Sequence, residues 1–214
     1  DRFTYTITGL DEATTYTYEW LVSADDDARI EGAATGSFTT ANEGYFAIDD
    51  LAAKATEIKN LASGETVAIF SNAATTAFTV ATPGWARMLL VGGGGAGGHS
   101  SNNAGAGGGA GGYLEPGLVW LDAGDYQVTV GAGGAATTAN SQRNSGQSTK
   151  LELATGPDIW TTLFEAFGGG GGGSWDNRYG ISGASGGGGS FRDNNGTGGA
   201  TAYPEQGNRG GNCS

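Results

Sequence analysis

The chain has 214 residues, 43 of them glycine, and a net charge of −12 with a pI of about 4.2. A surface of that sign repels phosphate backbones and anionic lipid, which argues against nucleic acid as a partner; no apolar run reaches the ~18 residues that a membrane-spanning helix needs. One cysteine (Cys213) and one histidine (His99) are too few for a disulfide framework, a metal cage or a histidine-based triad.

Six glycines precede Val91 and the other 37 crowd into residues 92–214. The chain therefore has two compositional halves. In the first, Phe3, Tyr5 and Ile7 alternate with threonines, which predicts a half-buried strand. After a break at Gly9–Ala13, the alternation of Tyr16, Tyr18, Trp20 and Val22 predicts a second. Asp25-Asp26-Asp27 reads as an acidic, solvated turn, and Gly36–Thr40 as a last short strand. Tyr5, Tyr18 and Trp20 are expected in a sandwich core.

The run Leu10-Asp11-Glu12-Ala13-Thr14-Thr15-Tyr16 resembles the fibronectin type III signature, with Glu12 where proline is usual. The resemblance implies that Tyr16 forms the tyrosine corner of such a domain. It also implies that residues 1–41 are the C-terminal part of one, and the chain a piece of a longer protein.

Residues 42–65 read as a linker with a short helix. Asp49 or Asp50 is placed to cap it, Leu51, Ala55, Ile58 and Ala62 follow at helical spacing, and Gly64 would stop it after about 13 residues. Strands are then predicted around Val67–Ile69, Phe78–Val80 and Met88–Val91, with turns at Ala73–Thr75 and Pro83–Gly84.

From Gly92 on, glycine is the architecture. Runs at 92–98, 105–112, 168–173 and 186–189, and shorter ones at 198–199 and 210–211, are separated by segments that do not belong in a flexible linker. Tyr126–Val130 and Lys150–Leu153 read as strands, and Ile159, Trp160, Leu163, Phe164 and Phe167 call for a core. Ordered runs of this kind suit polyglycine II helices, three residues per turn, packed side by side through backbone hydrogen bonds. An apolar strand entering Gly92–Gly95, and a second ending in Val130-Gly131-Ala132-Gly133-Gly134, resemble a recognised glycine-rich domain over residues 66–214. That resemblance implies a structural or adhesive module of a virion fibre, such as a phage tail fibre or receptor-binding protein. A bacterial cell-surface adhesin or extracellular fibre protein is the alternative.

The expected fold is thus mainly β: a fibronectin III-like sandwich remnant, then a glycine-rich domain of strands and packed polyglycine II helices. No enzymatic activity, metal or cofactor is expected, because no nucleophile–base pair or phosphate-binding motif is present. Expected partners are a host-surface receptor or neighbouring fibre or virion subunits, self-association included, at the virion surface or outside a cell. The candidate contact residues are Trp175, Arg178, Tyr179, Phe191 and Arg192. They lie in two loops between glycine runs and combine aromatic and guanidinium groups, the composition favoured in contact surfaces.

Overall fold

The structure, a computed structural model, describes residues 15–21, 33–39, 47–101, 105–191 and 195–213, with backbone only for 18–21, 33–35 and 38–39. The fold is mainly β and built from antiparallel sheets. β1 (Thr15–Leu21) pairs with β2 (Ala33–Thr39), with Tyr16 opposite Phe38. These are the second and third strands expected in the first half. The predicted strand at Phe3–Ile7, the aspartate turn, Tyr5 and the side chains of Tyr18 and Trp20 lie outside the described residues.

The linker departs from expectation. After β3 (Ala47–Ile48), the helix α1 runs only from Leu51 to Lys54. Asp50 precedes it in the left-handed region (φ 53°) and makes no side-chain cap. The rest of the predicted helix is a hairpin of β4 (Glu57–Asn60) and β5 (Thr66–Ile69). Gly64, at φ 88°, closes its loop instead of ending a helix, and Leu61 N–H donates to the Glu65 carbonyl at 2.8 Å. β-branched Thr56, Ile58, Thr66 and Val67 favour this outcome over continued helix.

Five strands form one sheet in the order β11-β10-β9-β6-β3: β6 is Thr75–Thr82, β9 Gly124–Thr129, β10 Thr149–Gly156 and β11 Ile159–Ala166. A two-stranded ribbon of β7 (Gly84–Val91) and β8 (Tyr113–Leu121) packs Ala86, Met88, Val119 and Leu121 against it. The core between them is Phe78, Val80, Leu121, Tyr126 and Leu151. Phe78 stacks on Tyr126 with ring centroids 5.7 Å apart, and the buried Tyr126 hydroxyl donates to the Asp122 carbonyl at 3.0 Å. The phenol therefore keeps a partner where water is excluded.

Sequence reasoning placed Ile159, Trp160 and Leu163 in a core. In the structure they are exposed on the edge strand β11, and only Phe164 packs against the core cluster. Covering β11 needs a layer that the sheet and the ribbon do not supply.

The glycine runs continue directly from the strands: Gly92 follows β7, Gly168 lies two residues beyond β11, and Gly112 leads into β8. Their backbone bonds recur every third residue. Gly92, Gly95 and Gly98 donate to the carbonyls of Gly112, Gly109 and Ala106. Phe167, Gly170 and Gly173 accept from Gly112, Gly109 and Ala106. The run 168–173, buried from Gly169 on, sits at the centre. Gly169 and Gly172 donate to the run at 92–98, while Gly170 and Gly173 donate to the run at 185–190. Gly168 and Gly171 accept from Ala184 and Ile181, Gly169 accepts from Gly146, and Gly171 N–H reaches the Ser145 hydroxyl. Five neighbouring segments thus enclose one six-residue run, and backbone groups that no sheet could pair are satisfied.

Two polar side chains join the bundle to the sheet. Thr149 accepts from Gly131 N–H at 3.0 Å and donates to the Val91 carbonyl at 2.7 Å. Gln206 accepts from Phe167 N–H and donates to the Glu165 carbonyl, both at 2.9 Å, beside the face-to-face Phe167–Tyr203 stack.

Candidate recognition site

The runs starting at Gly92 and Gly168 leave β7 and β11, and the run ending at Gly112 enters β8, so the other end of each lies away from the sheet, and four segments converge there. Trp175 N–H donates to the His99 carbonyl at 3.1 Å and Asp176 N–H to the Asn140 carbonyl at 2.8 Å. His99 Nδ1 lies 3.1 Å from Asn140 Oδ1, which also accepts from Ser101 N–H. Asn177 Nδ2 donates to the Ser141 carbonyl at 2.7 Å, and Arg143 reaches the Tyr179 carbonyl at 2.9 Å. The fourth segment is tied in through Ser190, whose N–H donates to the Arg178 carbonyl and whose hydroxyl donates to the Ser174 carbonyl, both at 2.8 Å.

The two loops singled out from sequence are therefore neighbours, and four of the five candidate residues fall within described structure. Arg178 stacks its guanidinium 5.1 Å from the centroid of the Tyr179 ring and donates to its hydroxyl at 3.0 Å. Trp175 and Arg178 are half-buried, whereas Tyr179 (46%) and Phe191 (54%) stand exposed. Arg192 lies outside the described residues. Arg143 adds a second guanidinium, so that two of the chain's ten basic residues meet on a protein of net charge −12.

His99, Ser101, Asn140, Ser141 and Arg143 were missed by sequence reasoning. The bonds made through their side chains join residues 36 to 41 apart in sequence. The signal that could have found them is the three-residue repeat of the glycine runs, which sets the register of one run against the next. The aromatic and guanidinium groups of the site sit on a hydrogen-bonded frame, with Ser174 Oγ and Arg178 Nε buried and lacking a partner among the described residues.

No helix among the described residues is long and apolar enough to cross a membrane. No curated protein and no solved structure matches the chain. A family model described as a glycine-rich domain matches residues 72–213, well over half of the 214 residues, and the chain belongs to that glycine-rich domain family.

Proposed function

We propose that this chain is a structural and adhesive module of a virion fibre, in which packed polyglycine II helices present the 99–101, 139–144, 174–179 and 190–191 segments to a surface receptor or a neighbouring subunit. The observation that carries the reading is the convergence of these segments at the end of the bundle remote from the sheet, with Tyr179 and Phe191 exposed. The three-residue recurrence of the backbone bonds supports the polyglycine II assignment. Six residues of such a helix advance about 19 Å, enough to hold the tip clear of the sheet. A fibronectin type III-like first half, of which the antiparallel pair β1–β2 would be part, would suit a fibre context.

A rigid frame meets much of the ordering cost of its loops before binding. Tyr179 and Phe191 would supply apolar contact, and Arg143 and Arg178 directional bonds to carboxylate or carbonyl groups. Losing a central aromatic anchor typically costs about 2 kcal/mol, some thirtyfold in affinity. A Tyr179→Ala, Phe191→Ala double variant should keep the parent's circular dichroism, because both side chains are exposed, yet lose attachment to the host surface or partner subunit by at least about thirtyfold. Attachment equal to the parent's would make these side chains mere cover for the bundle.

A further inference from the structure

The outer face of the β7–β8 ribbon presents six large apolar side chains to solvent. Trp85, Leu89, Val91, Tyr113, Leu118 and Trp120 are each between 46% and 58% exposed. Trp85 lies opposite Trp120 in the strand register, their rings edge to face with centroids 5.3 Å apart, and Val91 lies opposite Tyr113. The face is continuous because the ribbon carries an irregularity between Met88 and Leu90, where Gly117 takes φ 84°. Glu115 and Pro116, next to Gly117, face Leu89 alone, and this extra residue resets the alternation of β8, so that Tyr113 and Glu115, and Leu118 and Trp120, are all exposed. Without the bulge one of these pairs would turn inward.

Together the six side chains expose on the order of 600 Å² of apolar surface, at the top of the range for the largest patch on a monomer, where such patches are often functional. It approaches the ~800 Å² per partner of a standard interface. The face carries charge of both signs: Arg87, exposed and without an ion-pair partner among the described residues, on one strand, and Glu115, exposed and accepting from the Tyr113 hydroxyl at 2.8 Å, on the other, with Asp122 accepting from Trp120 Nε1 at the end of the ribbon. A strongly acidic or basic partner would not match that pair. A second copy would.

We infer that this face is a homotypic interface, closed by a second copy of the chain about a two-fold axis running along the ribbon. Such an axis sets β7 of one copy over β8 of the other. Trp85 then meets the partner's Trp120, Val91 meets the partner's Tyr113, and Arg87 stands one pairing step from the partner's Glu115. The contact is isologous and closes on itself, so two copies satisfy it. It leaves the loop cluster at the far end of the glycine bundle free.

Sedimentation equilibrium of the full chain at micromolar to tens of micromolar concentration tests this. The parent should show a reversible dimer. Leu118→Glu should weaken it at least about tenfold by placing a charge in the apolar centre, with unchanged circular dichroism because the side chain is exposed. Arg87→Glu and Glu115→Arg should each weaken the dimer, and the two together should restore it. A parent that stays monomeric throughout that range overturns the inference. So does a dimer indifferent to Leu118→Glu, or a charge pair whose combined reversal restores nothing.

Discussion

Gly170→Val should prevent the glycine-rich half from folding. A Cβ built on Gly170 falls against the Ile181 carbonyl oxygen and lies 3.0 Å from Gly187 N, both of them backbone. Neither atom can swing aside as a side-chain tip would. Gly170 also donates to Ser185 and accepts from Gly109, so a displaced run would break bonds to two neighbouring segments. Each buried backbone group left unpaired costs about 1–3 kcal/mol, and several together consume the 5–15 kcal/mol that holds a typical domain. The same account names a position where the change is harmless. A Cβ on Gly107 meets nothing within 4 Å, so Gly107→Ala should fold with a melting temperature close to the parent's. Replacing glycine there also removes freedom from the unfolded chain, which offsets any small loss. Thermal melts of the two variants separate packing from composition. A folded, soluble Gly170→Val protein would mean that the central run is not enclosed.

Tyr126→Ala is expected to be the second most damaging change, destabilising the core between sheet and ribbon by about 3–5 kcal/mol in chemical denaturation, as large aromatic truncations in cores do. Tyr126 is 2% exposed and stacks on Phe78, and its strand sits between β6 and β10. Truncation opens a cavity in the centre of the cluster and leaves the Asp122 carbonyl without its donor. Tyr126→Phe isolates the second effect and should cost about 1 kcal/mol. Burial, and then the nearby Asp122 carboxylate, raise the pKa of this phenol above its ordinary value of 10.0. The folded state therefore keeps the proton that the unfolded chain releases near pH 10. This contribution to stability is intact below about pH 10 and is lost as pH rises through the folded-state value, while Tyr126→Phe removes that dependence. Equal midpoints for Tyr126→Ala and the parent would displace the core from where Phe78, Val80 and Leu151 place it.

Period-two alternation made much of the sheet legible in the sequence. The strands around Phe78–Val80, Tyr126–Val130 and Lys150–Leu153 appear within a few residues of where their patterns lie. The helical spacing of Leu51, Ala55, Ile58 and Ala62 misled, because at 57–69 a hairpin built on β-branched residues and a left-handed Gly64 satisfies more backbone than a lone helix could. β8 was illegible for a different reason. Pro116-Gly117 has the composition of a turn, and only the pairing with β7 shows that it lies inside a continuous strand, with the bulge at Glu115-Pro116 and Gly117 opposite Met88.

Among the glycines, composition announced ordered runs but not which residues are enclosed. That depends on a three-residue phase relative to five neighbours. It leaves Gly107 open and Gly169 and Gly170 sealed, though all three look alike in the sequence. The same phase decides the tip. Trp175, Arg178, Tyr179 and Phe191 could be chosen by composition, whereas His99, Asn140 and Arg143 join them only through the register of the runs.

Amide hydrogen exchange across Gly168–Gly173 tests the central claim, that glycine here forms a packed interior. The amides of Gly169, Gly170, Gly172 and Gly173 donate to neighbouring backbone at 2.9 Å within a buried run. They should open only with global unfolding and so exchange as slowly as Tyr126 and Val128 in the sheet. Exchange at free-chain rates, while the sheet amides stay protected, would mean that the runs are linkers and the bundle does not exist.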